Sequence, residues 1–256
     1  MRSLGGRSTG RRCRSIAVMA ATLAVAITSC SEPAGVAPPS SPADLVLPVS
    51  DLPPGFAPES LSVDDLVAGN QAGIDAARTT RVTPEFCRPT ADEALNRELS
   101  ADNAAVLGAR GAAGVLVELV TTAARDIDAD RLSTTGRCAR TTTEITTGNL
   151  AGSSVVTQYT ELSPPELPGG LRAAEQMLLT RSEVTTTLPD GGVRRQIGYA
   201  GYAALDRPSS GAVTLQLTVS GATTPATTPP TDPVEPLTSA AFTDLFATAV
   251  ERVVEP

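Results

Sequence analysis

Lysine, histidine and tryptophan are absent from all 256 residues, so each of the 20 basic side chains is an arginine. Without histidine the chain cannot build a Ser-His-Asp or Cys-His arrangement, offers no imidazole to a metal, and has no side chain that ordinarily titrates near neutrality. Without lysine there is no Schiff-base amine and no phosphate-loop lysine, and a serine nucleophile also loses its other usual base. No G-x-S-x-G elbow occurs. Aromatic residues make up 3%, four phenylalanines and three tyrosines, which is few for the stacking platforms of a glycan cleft.

What is present starts with a leader. Arg2, Arg7, Arg11, Arg12 and Arg14 precede an uncharged run beginning at Ile16, with no acid among them. That is the order of a secretory signal, and the run is too short to span a bilayer, which takes about 20 apolar residues. It ends in Ile27-Thr28-Ser29-Cys30, which resembles a bacterial lipobox: residues 1–29 are expected to be removed and Cys30 lipidated. Cleavage near Ala26 as an ordinary secreted protein is the alternative. Arg11-Arg12 lacks the downstream Phe-Leu of twin-arginine export and reads as leader charge.

Removing the leader leaves 227 residues in which 15 arginines face 28 acids, a balance of minus 13. Nucleic acid and anionic lipid surfaces both require a basic face, so neither is an expected partner. Cys13 leaves with the leader and Cys30 is acylated, so Cys87 and Cys138 remain to form a disulfide in an oxidising compartment. Closing a loop of that length stabilises by roughly 4 kcal/mol in the chain-entropy description.

Residues 30–44 are proline-rich, with little to bury, and read as a flexible tether; residues 45–256 read as a single domain. Asp51-Leu-Pro-Pro-Gly-Phe56 is a rigid turn that can pin Phe56 onto a core. Ser62 and Asp65 form a capping box opening a helix from Val63 to Ala68, and periodicity then fades from Gly69 to Arg81. A second helix is expected over Ala91–Leu99, capped by Thr90, and a third over Asp126–Leu132. Alternating patterns predict strands at 104–109, 114–122, 153–162, 175–188, 193–205 and 212–220. Residues 221–236 read as a Thr/Pro-rich connector to a helix over 238–254, whose stripe of Phe242, Leu245, Phe246, Ala249, Val250 and Val253 has to cover something. The fold class is therefore α+β: an antiparallel sheet of about five to six strands with the helices, the C-terminal one included, on one face.

The order of lipobox, tether, Asp51 to Phe56, Pro84-Glu-Phe-Cys-Arg-Pro89, sheet and C-terminal helix resembles the small mycobacterial-type envelope lipoproteins, which are similar to the extracytoplasmic sensor domain of actinobacterial receptor serine/threonine kinases. The arginine-only basic set looks like high-GC actinobacterial coding. The resemblance implies an antiparallel sheet with helices on one side, a cleft, and no established catalysis. The family's tryptophan before Cys138 and its further disulfides are missing here, and no binding residue is carried over.

Asp126, Asp128 and Asp130 have the opening spacing of a calcium loop, but Arg131 and Arg137 stand where a glycine and a bidentate glutamate belong. Gly108, Gly111 and Gly114 lack the dinucleotide-loop order and read as turn glycines. No metal or cofactor is implied. Paired carboxylates drawn from Asp64, Asp65, Glu161 and Glu183 leave open a hydrolase acting on an envelope glycan or ester. Arg194 and Arg195 point to opposite faces of one strand, so one of them needs a carboxylate or a ligand. The expectation is a lipid-anchored, extracytoplasmic, non-catalytic binding or sensor-like module. Its cleft would lie between sheet and C-terminal helix, lined by Tyr199, Tyr202, Phe242 and Phe246 with Arg194 or Arg195 at the edge, and would hold a small apolar or envelope ligand. A passive lipoprotein that docks another envelope protein is the other alternative.

Overall fold

The computed structural model describes residues 41–167, 177–207, 211–225 and 233–254. The expected leader, the lipobox with Cys30, and the tether as far as residue 40 lie outside the described residues, as do the loop tips expected at 168–170 and 208–210 and residues 226–232 of the expected connector.

Among the described residues secondary structure begins ahead of Leu45, because the Ser41 backbone N–H and hydroxyl both donate to Asp44 and close a short helix α1 (Pro42–Leu45). After the Pro53–Phe56 turn, in which Gly55 takes a φ of 88°, the chain forms β1 (Phe56–Glu59). The Ser62–Asp65 capping box opens α2 (Val63–Arg78), ten residues longer than the periodicity predicts. Then come β2 (Thr80–Thr83), α3 (Ala91–Glu98), β3 (Ala104–Gly111), β4 (Gly114–Thr121), α4 (Ile127–Thr134), β5 (Arg140–Ile145), β6 (Ser154–Leu162), β7 (Met177–Thr187), β8 (Val193–Arg207), β9 (Gly211–Gly221), β10 (Thr224–Pro225) and α5 (Ser239–Val254).

All pairings are antiparallel, in the order β1-β3-β4-β9-β8-β7-β6-β5-β2. β10 adds to β8 beside β9, one residue out of the β8–β9 register, so it is β9 resumed after a bulge. Among the described residues nine strands in line, plus β10, replace the expected five to six. The additional ones are short or threonine-rich: Phe56-Ala-Pro-Glu, Thr80-Arg-Val-Thr and Arg140-Thr-Thr-Thr-Glu-Ile lie towards the sheet margins, where no apolar alternation is required.

The helices do not share a face, which corrects the one-sided arrangement expected from sequence. Leu116 and Val120 of β4, Ile197, Tyr199, Ala203 and Leu205 of β8 and Val213 to Val219 of β9 meet α5 in one cluster, with Leu45 and Leu47 beside them. Leu119, on the opposite face of β4, packs with Val63 of α2 and Leu95 of α3 in a second cluster. A sheet with both faces covered accounts for the continuous apolar run of β4. Cys87 and Cys138 are bonded, tying the end of β2's segment to the start of β5's.

Between sheet and α5 the space is filled. Phe242 stacks on Tyr199 at 5.1 Å between centroids, Phe246 lies 6.4 Å from Phe242, and both phenylalanines are fully buried. Gly201 is the reason Phe246 fits: a Cβ there would sit 2.5 Å from the ring. Phe246→Ala should therefore cost about 3 to 5 kcal/mol. That corresponds to a melting midpoint lowered by about 2 to 4 °C for each kcal/mol lost, and an unmoved midpoint would mean that α5 is not docked in solution.

Glu118 of β4 is on this face and completely buried. Its Oε2 accepts the Leu47 N–H at 2.8 Å, while Oε1 has no hydrogen-bond partner. Arg252 near the end of α5 donates to the carbonyls of Val46 at 2.8 Å and Asp44 at 3.0 Å, so the 44–47 segment is gripped from both sides. Burial pushes the Glu118 carboxyl up from 4.5 to about 7, opposed by the Leu47 N–H and the Arg252 charge. Since the folded value lies above the unfolded one, ionised Glu118 penalises folding fully above about pH 7, and the penalty fades as pH falls towards 4.5. Its size is on the order of 3 kcal/mol. Urea denaturation should show stability rising between about pH 8 and pH 5, with Glu118→Gln flattening the rise; equal slopes in the two proteins would exclude Glu118 as the group responsible.

Candidate functional site

The residues expected to line one cleft are dispersed. Tyr199, Phe242 and Phe246 do meet, but as packed core. Tyr202 is three residues beyond Tyr199 on β8 and so faces the other side of the sheet, where it opposes Gln216. Arg194 is exposed on that side, while Arg195 pairs with Glu183 at 2.5 Å on the α5 side. The internal carboxylate partner that a half-buried arginine demands is thus supplied by the neighbouring strand. Nor do the four candidate acids assemble. Asp65 serves the α2 cap and Asp64 is exposed beside it, Glu161 pairs with Arg131, and Glu183 lies on the opposite face from Glu161. Asp126 caps α4 and Asp130 binds Arg125, so the calcium spacing does not converge either; among the described residues no cluster of metal ligands occurs.

The open space is on the other face. A groove of about 540 Å³ separates the second half of α2 from the sheet, with the first turn of α3 at one side. Its roof is a single helical stripe, Leu66, Gly69, Asn70, Gly73, Ile74 and Ala77, spaced i, i+3, i+4, i+7, i+8, i+11. Four of these six are glycine, alanine or asparagine, so the helix turns towards the sheet a face too small to reach it. A Cβ at Gly69 or Gly73 would touch nothing within 4 Å. Its floor comes from Val117 of β4, Tyr202 of β8, and Gln216, Thr218 and Ser220, alternate residues of β9.

One buried cation holds this end of the groove together. Arg125, its side chain 1% exposed, binds both oxygens of Asp130 at 2.6 and 2.9 Å, Asp92 at 2.8 Å and the Gln216 carbonyl oxygen at 2.9 Å. Its guanidinium also lies 4.0 Å from the centre of the Tyr202 ring. Elements α3, α4, β8 and β9 thereby converge on a single side chain. Burial opposes the Arg125 charge, but Tyr202, Asp130 and Asp92 outweigh it, and its pKa is raised. Burial likewise pushes the Tyr202 hydroxyl up. At the rim, Arg88 donates to the carbonyls of Ala77 at 2.7 Å and Thr80 at 3.0 Å and so closes the C-terminal turn of α2, while Arg78 binds Asp75 and Glu93.

Of the groove residues sequence reasoning picked out Tyr202 alone, and on the wrong side of the sheet; it missed the others because it looked for large apolar or convergent charged groups. The usable signal was a capped helix start followed by a stripe of the right spacing with glycines in it.

No protein-family model matches the chain, and no curated protein matches it. Among solved structures it is similar to an uncharacterized protein of Mycobacterium smegmatis described as an Rv0999 ortholog, at 13% identity and a TM-score of 0.41, over 80% of this chain and 92% of that one.

Proposed function

We propose that this chain is a lipid-anchored envelope protein that binds a small molecule non-catalytically in the groove beneath α2. The carrying observation is that α2 presents its small-residue stripe to a floor of hydrogen-bonding side chains and leaves about 540 Å³ open, whereas the α5 face is filled. That volume is within the usual range for ligand pockets, about 300 to 1,000 Å³. Two glycines within a helix cost about 1 kcal/mol each relative to alanine, so the space is maintained against local propensity. The groove's own acids, Asp92 and Glu93, are adjacent on one helix and each engages an arginine. They do not flank a bond from two sides as a hydrolase would require, which favours binding over catalysis.

The location rests on the Ile27-Thr28-Ser29-Cys30 sequence, with support from the Cys87–Cys138 disulfide, which suits an oxidising compartment. Among the described residues no helix is long and apolar enough to cross a membrane. Metabolic labelling with a palmitate analogue should mark the wild type and not Cys30→Ala; equal labelling would remove the lipid anchor.

Gly73→Leu tests the groove. The substitution should raise helix stability by about 1 kcal/mol while filling the space. Native mass spectrometry of protein extracted from the envelope should show a small-molecule adduct on the wild type that Gly73→Leu lacks. Ligand-free spectra for both, or the same adduct on both, would rule the groove out.

A further inference from the structure

Resting on the groove as the binding site, we infer that its ligand is an uncharged amphipathic molecule, with hydroxyl or amide groups along one edge and hydrocarbon on the opposite side. The reason is how the ionised groups around the groove are already partnered. Arg78 holds Glu93 at 2.7 Å, Arg125 holds Asp92 at 2.8 Å, and Arg88 is fixed on the carbonyls of Ala77, in the last turn of α2, and Thr80, at the start of β2. An anionic ligand would have to compete for Arg78 or Arg88 with the partners they already hold, and would lie beside the Asp92 and Glu93 carboxylates. A cationic one would have to share Asp92 with Arg125 or Glu93 with Arg78, and its charge would face those two guanidiniums. Either way binding is opposed, whereas a neutral ligand leaves each pair intact.

The uncharged groups are distributed by side. Gln216, with its carbonyl oxygen on Arg125, keeps its amide N–H groups for a ligand. Thr218 reaches the Val117 carbonyl only at 3.3 Å, and Ser220 is exposed next to it. Alternate residues on one strand are roughly 7 Å apart, so these three set a row of contacts at that interval. Across from them Leu66, Ile74 and Ala77 offer hydrocarbon, with the Asn70 amide as the one polar side chain in that stripe. A molecule with polar groups on both sides would strand some of them against that wall, and a wholly apolar one would strand the row on β9.

Three probes of one chain length and different charge test this: 1-decanoyl glycerol, decanoate and decylammonium, titrated calorimetrically below their aggregation limits. The glycerol ester should bind the wild type at least about tenfold more tightly than either ion, a factor that a single disrupted pair suffices to produce. Gly73→Leu should abolish that binding, and Thr218→Val, which keeps the shape and removes the hydroxyl, should weaken it about fivefold. An ion that binds as tightly as the ester, with the binding lost in Gly73→Leu, overturns the neutral class and leaves the groove standing. Ester binding that Gly73→Leu does not change overturns both the class and the groove. No ester binding to the wild type overturns the class, and the adduct carried from the envelope then decides the groove separately.

Discussion

Strands β8 and β9 are covered on both sides, and the rest of the molecule follows from how differently the two sides are covered. On one side Ile197, Tyr199, Ala203 and Leu205 of β8 and Val213, Leu215, Leu217 and Val219 of β9 meet the large side chains of α5 with no space between. On the other the same strands carry Tyr202, Gln216, Thr218 and Ser220. Because strand side chains alternate, no change of register could exchange these sets without exposing the core. The solid face supplies most of the apolar burial, and this frees the opposite face to keep polar groups and an incompletely seated helix.

That second face still needs a fixed geometry, and Arg125 provides it. A guanidinium with five donors in a plane can bind Asp130 by its Nε–Nη2 edge, reach Asp92 with the same Nη2 and Gln216 with Nη1, and lie over Tyr202. A buried arrangement of this kind contributes little net stability, because desolvating the charges offsets their attraction. What it does impose is position: α3, α4 and two strands cannot shift independently without leaving a charge unpaired.

The extent to which the sequence was legible tracks which residues have to be apolar. The α5 stripe, the β7–β8–β9 meander and the Ser62 cap could be read because burial or capping demands particular residue types there. The edge strand β2 and its neighbour β5 could not, since Thr80 to Thr83 and Arg140 to Ile145 make backbone pairs and need no apolar alternation. For α2 the fading periodicity after Ala68 was genuine but marked the opposite of what it suggested. The helix continues to Arg78 and loses its apolar stripe because its inner face meets a groove. The same absence of large side chains hid the groove: hydrophobic patterning records where chains touch, and an open groove is where they do not. Arg125 was invisible for a different reason, as its partners Asp92, Asp130 and Gln216 come from three separate elements.

The disulfide belongs to this account through its neighbours. Cys87 immediately precedes Arg88, which caps the C-terminal turn of α2, and Pro89, which lines the groove. A helix with glycines at 69 and 73 and small residues on its inner face has little of its own to keep its second half in place, since burial by Val63, Leu66 and Val67 ends one turn earlier. The bond to Cys138 fixes the segment that presents Arg88, and Arg88 in turn fixes the Ala77 carbonyl in the last turn of the helix and the Thr80 carbonyl just beyond it. The roof is thereby held at its start by the capping box and apolar contacts, on its α3 side by Asn96 and Glu93, and at its finish by the arginine beside the disulfide. The span between them remains free to stand away from the sheet, so a covalent link that touches no ligand helps maintain the opening in which one is proposed to bind.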